Sequence, residues 1–390
     1  IGFLAPLLVL ILRLLQGLAL GGEYGGAATY VAEHAPAGEK GYWTSWIQTT
    51  ATVGLFISLM VILATKSALS AEAFDTWGWR VPFWVSIAMV GVSYLIRKNM
   101  DESPVFAKAK KEGTTSTNPL KESFGNRYNL KFVLLALFGA TMGQGVVWYT
   151  GQFYAMSFMK TVMNVDSSQV DELLGIALLI GTPFFIVFGW LSDKIGRKYI
   201  MMFGMLLAIL SYRPIYKAMY STTDISQKTE IVENPRETTE KKADGSSVTT
   251  IQKKYTDGTT MIEKKTYVDK KDVQTSVSIQ INSTDKWALI FLVFIQVLFV
   301  TMVYGPIAAF LVEMFPTKIR YTSMSLPYHV GNGIFGGLLP AISTYFVSHA
   351  KTAGKADFYL DGLWYPIIIA GICFVIGMIY IDNKNKITHL

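Results

Sequence analysis

The sequence has very little from which a disulfide or a metal centre could be built. Cys373 is the single cysteine among 390 residues, which excludes a disulfide within the chain and a cysteine-based metal site. The four histidines stand at positions 34, 329, 349 and 389, without the close spacing of a zinc motif. We therefore predict that the protein has no metal site and uses no cofactor.

The motifs of ATP-driven pumps and of common hydrolases are also missing. The sequence contains no G-x-x-x-x-G-K-[ST] loop that would hold the phosphates of ATP. It contains no HExxH motif, and no apolar run carries a paired-acid or Ser-His arrangement. We therefore predict that the protein is not an enzyme.

Charged residues are scarce, and apolar runs are long. Only 16% of the residues are charged, against roughly 25% in ordinary soluble domains, and 51% are hydrophobic. About 20 apolar residues span a bilayer, and nine runs have about this length. So many runs favour an all-α integral membrane protein, embedded in the lipid bilayer, over a large soluble protein with buried helices. The runs cover residues 3–31, 43–65, 81–97, 131–160, 172–192, 199–219, 287–312, 322–347 and 362–381.

The distribution of basic residues predicts the orientation of these runs. The net charge is +7, but the lysines and arginines stand between the runs rather than on one soluble surface, so nucleic acid is not expected as a partner. They crowd the segment after the third run and recur at Lys194–Lys198 and Lys318–Arg320. Because successive spans cross the membrane in opposite directions, these three segments lie on the same side of it. The positive-inside rule makes that side cytoplasmic, with the C-terminus. We predict a multi-pass protein of the plasma membrane.

Polar segments divide the chain into units. Residues 99–130 are predicted to form a cytoplasmic linker between a first unit of three runs, residues 1–98, and a second unit of six, residues 131–390. Residues 221–286 are too polar to cross a membrane and fall on the outer side. Residues 273–281 alternate at period two, and Asp257-Gly258 separates two strand-like stretches, 247–255 and 259–267. We predict a small β insertion; the alternative is a solvated loop.

The first apolar run carries polar residues that a lipid-facing helix would exclude. At about 100° per residue, Arg13, Gln16 and Glu23 fall on one helix face. A charged group in hydrocarbon costs at least about 2.5 kcal/mol, so these side chains are expected to face a cavity, although a role in helix packing alone is the alternative. Glycines at positions 17, 21 and 25 predict the close approach of a neighbouring helix. Glu33, at the cytoplasmic end, is expected to be solvated.

A second concentration of polar and aromatic side chains lies in the fourth run. Gln144, Trp148 and Gln152 are spaced by four residues, with Tyr149 beside them. This pattern predicts the lining of a cavity, and an interfacial aromatic belt is the alternative. His329 has the chemistry to transfer a proton near neutral pH, or it forms a hydrogen bond between helices. The full set of predicted cavity residues is Arg13, Gln16, Gln48, Gln144, Trp148, Tyr149, Gln152, Tyr304 and Asn332.

Three segments resemble one family of membrane carriers. The pattern G-x-L-x-D-x-x-G-R-K between the fifth and sixth runs resembles the signature loop of the major facilitator superfamily. The stretch from Glu313 to Arg320, followed by glycines from Gly331 to Gly337, is similar to the metabolite:proton symporters of that superfamily, which include the proline/betaine, α-ketoglutarate and shikimate carriers. The polar first run resembles their fourth helix. The residues that match these motifs in gating positions are Gly189, Asp193, Gly196, Arg197, Lys198, Glu313 and Arg320.

The resemblance implies the major facilitator fold of twelve helices, of which this sequence would hold the fourth to the twelfth, so an N-terminally truncated carrier is expected. It implies that the gating residues lock two halves together in one state of a transport cycle. It also implies that a monomer transports a small organic acid or zwitterionic metabolite together with a proton. Glu23, with Arg13 and His329, is the expected proton-coupling group. The alternative is a non-transporting receptor or scaffold that uses the β insertion.

Overall fold

Nine long apolar helical segments dominate the computed structural model, which describes residues 4–231, 236–241, 247–268 and 271–382. Within these residues, the nine segments are long and apolar enough to cross a membrane, and each coincides with a predicted run. The prediction of nine spans is therefore confirmed. The spans are Leu4–His34, Lys40–Ala68, Gly78–Lys98, Arg127–Thr161, Ser167–Ile195, Arg197–Thr222, Ser283–Met314, Arg320–Thr352 and Phe358–Tyr380.

The first unit consists of three long helices and a short one: α1 (Leu4–His34), α2 (Lys40–Ala68), α3 (Ala71–Thr76) and α4 (Val81–Lys98). Ser70 caps α3 by accepting the N–H of Ala73, and Pro82 stands in the first turn of α4, where its missing N–H has no cost. The N-terminal half of α1 is exposed from Leu4 to Leu20. The buried residues of α1 are small, Gly25, Ala28 and Ala32, so its C-terminal half makes close contacts.

The predicted linker contains one short helix, α5 (Pro104–Lys111), and a π-helical turn at Lys121–Gly125. Ser103 caps α5, because its hydroxyl accepts the N–H of Phe106 at 3.1 Å. The polar linker is thus a structured segment. It contacts both units, because Ser103 donates to Glu33 and Ser323 donates to Ser123.

The second unit holds most of the buried core among the described residues. Phe158, Met205, Tyr212 and Tyr216 are less than 2% exposed there, whereas the first unit exposes most of its apolar surface. π-helical turns at Leu137–Thr141, Thr150–Tyr154 and Gly331–Gly336 interrupt two of its spans. Its helices are α6 (Arg127–Ala136), α7 (Met142–Tyr149), α8 (Ala155–Thr161), α9 (Ser167–Gly181), α10 (Pro183–Ile195), α11 (Arg197–Thr222), α12 (Ser283–Tyr304), α13 (Ile307–Met314), α14 (Arg320–Val330), α15 (Leu339–Thr352) and α16 (Trp364–Tyr380).

An antiparallel sheet lies between α11 and α12, with strands β1 (Arg236–Lys241), β2 (Ser247–Lys254), β3 (Thr260–Val268) and β4 (Lys271–Gln280) in that order. The predicted hairpin is β2 and β3, joined through Gly258, which has a φ of 88°. The alternating stretch 273–281 lies mainly in β4, whereas β1 was not predicted. Ile279 binds the loop between α8 and α9: its N–H donates to Asn164 at 2.7 Å, and its carbonyl accepts the N–H of Asp166 at 2.9 Å. The sheet is therefore attached to the second unit at the loop between α8 and α9.

A buried cation fixes the base of the sheet. The ammonium group of Lys228 lies 2.6 Å from Asp257 and 2.5 Å from Asp285, at the start of α12. Burial alone would raise the pKa of Asp257, but hydrogen bonds from Lys228 and from Thr259 outweigh it and lower the pKa to about 2. Burial alone would lower the pKa of Lys228, and its two carboxylate partners raise it instead.

We expect the sheet to lose stability in acid through Asp257. The pKa of Asp257 is lowered in the folded protein. Its contribution to the stability of the fold is therefore complete above the ordinary carboxyl pKa of about 4 and is lost as the pH falls toward 2. Asp257→Asn should therefore weaken the sheet at pH 7 and flatten its response between pH 5 and pH 2.5. Hydrogen exchange of β2 and β3 amides measures this. Glu230→Gln, which removes an exposed ion pair to Lys253, is the control, and an unchanged acid response in Asp257→Asn would contradict the prediction.

Candidate functional site

The predicted signature loop forms a charge network inside the second unit. Gly196 ends α10 with a φ of 110°, a left-handed conformation that favours glycine. The turn places Arg197 Nη1 2.7 Å from Asp193 Oδ1. The same guanidinium donates from Nε and Nη2 to both carboxylate oxygens of Glu313, at 3.0 and 2.9 Å. Because such a bidentate pair requires defined geometry, Arg197 fixes α10, α11 and α13 relative to one another.

Asp193 extends this network to the first unit. Its carboxylate oxygens accept the backbone N–H groups of Gly41 and Tyr42, each at 2.8 Å. These N–H groups lie in the first turn of α2, where a helix has no internal partners for them and where its dipole favours an anion. The side chains of Asp193 and Arg197 are 6% and 12% exposed. The N-terminus of α2 is therefore held against the α10–α11 turn by a buried charge network.

Two glycines allow α2 and α10 to touch beside these charges. A Cβ on Gly41 would lie 2.4 Å from the carbonyl oxygen of Gly189, and a Cβ on Gly189 would lie 2.4 Å from Cβ of Ser45. Neither space admits a side chain without a shift of the helices. Gly189 was singled out by its motif, whereas Gly41 carries no sequence signal beyond its place at the start of a span.

A second buried ion pair joins the two units directly, and a residue of the linker hydrogen-bonds to it. Glu33, at the end of α1, pairs with Arg320, at the start of α14, and the hydroxyl of Ser103 donates to the other Glu33 oxygen. The expectation that Glu33 is solvated is wrong, because its side chain is only 3% exposed beneath these partners. The predicted gating residue Lys198 lies outside both networks and donates to the carbonyl of Met378 at 2.8 Å.

A polar-aromatic cluster crosses the interface farther along the helices. Gln48 of α2 donates to the hydroxyl of Tyr24 at 2.8 Å. The ring of Tyr24 stacks on that of Tyr328 of α14, with 3.7 Å between centroids and 6° between planes. The hydroxyl of Tyr328 shares a 2.5 Å hydrogen bond with that of Tyr304, whose ring stacks on Trp148. Tyr24 and Tyr328 were not among the predicted cavity residues, although they complete the contact between the units.

The amide groups of Gln144 and Asn332 extend the cluster within the second unit. Each donates to the carbonyl oxygen of the other at 3.1 Å, and Asn332 also donates to the backbone of Tyr328 at 2.9 Å. The ring of Tyr149 contacts that of Trp148 edge-on at 4.8 Å. Gln152 lies half-buried in the π-helical turn after α7. Six of the nine predicted cavity residues therefore meet in one cluster: Gln48, Gln144, Trp148, Tyr149, Tyr304 and Asn332.

The cluster lies at a different depth from the ion pairs. Tyr24 precedes Glu33 by nine residues on α1, which is about 14 Å at 1.5 Å per residue. Tyr328 follows Arg320 by eight residues on α14, about 12 Å. The hydrocarbon core is about 30 Å thick, so the cluster is about half a membrane from the charges.

The predicted proton-coupling residues do not contact one another. Arg13 donates to Gln16 at 2.9 Å on the exposed part of α1. Glu23 pairs with Arg97 of α4 at 2.5 Å rather than with Arg13. His329 has a buried Nε2 without a hydrogen-bond partner among the described residues. In the glycine stripe, a Cβ on Gly25 would lie 2.4 Å from Oγ of Ser325, whereas a Cβ on Gly17 or Gly21 would meet nothing within 4 Å.

Comparison with known proteins agrees with this architecture. The sequence model of the Major Facilitator Superfamily matches residues 1–221, more than half of the chain. The citrate-proton symporter of Salmonella typhi is 26% identical over 377 residues, 96% of this chain and 69% of that protein. The alpha-ketoglutarate permease of Escherichia coli K12 is 26% identical over 387 residues, 99% of this chain and 72% of that protein.

The fold has a counterpart among solved structures. The structure of the proton:xylose symporter XylE matches with a TM-score of 0.58 at 15% identity, and the match covers 92% of this chain and 68% of that one. The relatives are membrane transporters rather than enzymes. With nine apolar spans among its described residues and with its matched family model, the chain belongs to the major facilitator superfamily.

Proposed function

We propose that the protein transports a small organic acid or zwitterionic metabolite together with a proton, by alternating access, as a monomer in the bacterial inner membrane. In this proposal the nine spans are the fourth to the twelfth of twelve helices. The ion pairs lie at the cytoplasmic face, where the C-terminus also lies, and the sheet projects from the outer face. Carriers of this kind bind substrate near the middle of the bilayer, between two repeated bundles.

The observation that carries the proposal is the polar interface between the units. Asp193, Arg197 and Glu313 join them at one end, and Glu33 with Arg320 joins them nearby. When the ends of the two units separate at these residues, water replaces the partners in such polar contacts. We assign these residues, with Gly189, Gly196 and Lys198, to gating of the cytoplasmic side.

The substrate path in this proposal passes the polar-aromatic cluster. Its hydroxyl and amide groups offer neutral hydrogen-bond donors and acceptors at about mid-membrane depth. Arg13 and Gln16 extend the path outward along α1, and Gln152 extends it along α7. Glu23, Arg13 and His329 remain the proposed proton-coupling residues. The proposal that the substrate is an organic acid is supported by two relatives, which are named for citrate and alpha-ketoglutarate.

A receptor or scaffold built on the sheet is not favoured. The two relatives align along 96% and 99% of the chain, on both sides of the sheet, and both are named as transporters. The helical body rather than the sheet therefore supports the function.

Uptake by proteoliposomes tests the proposal. The protein that carries this sequence is reconstituted with an alkaline lumen and is given labelled citrate, α-ketoglutarate, proline or betaine. We expect at least one of these compounds to accumulate above its external concentration and to leak out again when a protonophore collapses the gradient. Deletion of residues 223–284 should preserve uptake. Folded protein that accumulates none of these compounds would contradict the proposal, and so would uptake that ignores the proton gradient.

A further inference from the structure

An apolar groove of about 480 Å³ lies between α6 and α16, the first and last helices of the second unit. Leucines of α6 and Phe138 form one wall, and Ile376 and Tyr380 of α16 form the other. Among the described residues, the only charged side chains that line the groove are Arg127 and Lys131, in the first two turns of α6. The groove therefore combines an apolar body with a positively charged end.

The groove lies on the face of α6 that points away from the core of the second unit. Its lining residues recur every three or four positions from Arg127 to Phe138, which at about 100° per residue is one helix face. The buried residues Asn129, Val133 and Ala136 lie on the opposite face. Among the described residues, none from the first unit lines the groove. The proposed alignment also assigns the three helices before α1 to that unit, so both walls of the groove are complete in this chain.

The depth of the groove matches one leaflet of a bilayer. Arg127 begins the fourth span and Tyr380 ends the ninth, so six crossings return the chain to the same membrane surface. Phe138 follows Arg127 by eleven residues, which is about 16 Å at 1.5 Å per residue. Half of the hydrocarbon core is about 15 Å. The apolar stripe therefore has the depth of one layer of acyl chains, and the two cations lie at the level of the headgroups.

The two cations of the groove are exposed and have no ion-pair or hydrogen-bond partner among the described residues. Asp382, two residues beyond Tyr380, pairs with neither of them. Other cations of the second unit near this surface already have partners, which are Trp190 for Lys194, Met378 for Lys198, Glu122 for Lys318 and Glu33 for Arg320. Arg127 and Lys131 thus leave two uncompensated positive charges, one helical turn apart, at the end of an apolar groove.

We infer that this groove binds an anionic phospholipid. Its phosphate lies between Arg127 and Lys131, and one acyl chain lies along the stripe between α6 and α16. Both cations donate charge-assisted hydrogen bonds to phosphate oxygens. A zwitterionic lipid brings a cation of its own, which offsets this attraction, so the site prefers a lipid with net negative charge. The site is independent of the proposed transport, because it requires only that the spans lie in a bilayer.

Mass spectrometry of intact protein–lipid complexes tests this site. The protein that carries this sequence is titrated in detergent with phosphatidylglycerol or with phosphatidylcholine of the same acyl chains. We expect the first phosphatidylglycerol to bind roughly tenfold more tightly than phosphatidylcholine. The double variant Arg127→Gln, Lys131→Gln should bind both lipids with equal affinity. Its affinity for phosphatidylcholine should match that of unaltered protein, which shows that the groove is intact. Soluble glycerol phosphate should not displace the lipid, because it lacks acyl chains.

Matched variants separate the groove from a general effect of charge. Lys108→Gln with Lys111→Gln removes the same charge from α5, outside the groove, and should keep the preference for phosphatidylglycerol. Leu134→Trp keeps both cations but fills the groove at an exposed position. It should weaken phosphatidylglycerol binding roughly fivefold, because the acyl chain loses packing contacts.

Three results would overturn the lipid site. They are equal binding of the two lipids by unaltered protein, a preference that survives in Arg127→Gln, Lys131→Gln, and unaltered affinity in Leu134→Trp. None of these measurements involves uptake, so each of these results would leave the proposed transport standing.

Discussion

Replacing Arg197 by alanine is expected to lower proton-coupled uptake at least tenfold and to loosen the contact between α2 and the α10–α11 turn. The change leaves the carboxylates of Asp193 and Glu313 without their cation. Removing one partner of a buried ion pair costs about 3 kcal/mol. If that cost falls on the arrangement in which the network holds the two units together, the population of this arrangement drops by roughly a hundredfold relative to the arrangement in which the units separate. Proteoliposome uptake measures the first effect, and hydrogen exchange at the amides of Gly41 and Tyr42 measures the second.

Lys194→Ala is the matched control for this experiment. Lys194 is a cation of the same turn, but its ammonium group lies over the ring of Trp190, 3.9 Å from the centroid, rather than in the network. Its removal should leave uptake and amide protection close to the unaltered values. If Arg197→Ala keeps both as well, the charges do not hold the two units together, and the proposed gating role is wrong.

Adding a single methyl group at Gly41 should have a comparable effect on uptake. In Gly41→Ala the new Cβ would lie 2.4 Å from the backbone carbonyl oxygen of Gly189 and 2.5 Å from Arg197 Nη1. A backbone oxygen cannot move aside like a side chain, so α2 and α10 must separate, and Asp193 then loses its two backbone donors. We expect uptake to fall at least fivefold and the midpoint of thermal unfolding to fall by several degrees.

The same helix supplies the control for this substitution. A Cβ at Gly54 of α2 would meet no atom within 4 Å. Gly54→Ala should therefore keep uptake and should slightly stabilise the protein, because alanine favours a helix by about 1 kcal/mol over glycine. Equal behaviour of the two variants would show that close contact at Gly41 is not needed for transport.

Much of the fold was predictable because its main determinants are local. The length of an apolar run, the alternation in the 273–281 stretch and the turn at Asp257-Gly258 are properties of adjacent residues. They correctly predicted nine spans and three of the four strands. The signature loop was also local: Asp193 and Arg197 are four residues apart, on either side of the turn at Gly196, so their pairing follows from the motif.

The arrangement of the candidate site was less predictable. Helix periodicity placed Gln144, Trp148 and Tyr149 near each other, but it could not identify Tyr24 and Tyr328 as the stacked pair that joins the units. Glu33 was expected to be solvated because it ends a span, and the linker and α14 bury it instead. Arg13 and Glu23 share a helix face, yet Arg97 of another helix is the partner of Glu23.

The sequence by itself determined that this chain is a membrane protein, because the thickness of hydrocarbon sets how many consecutive apolar residues a span needs. Its signature loop also identified the family. Only the tertiary structure decided which charges from distant parts of the chain meet, since Glu33 and Arg320 are 287 positions apart and become neighbours when α1 docks against α14. Ion pairs and ring stacks act over a few ångströms, so their partners are decided by how the helices pack, not by spacing along the chain.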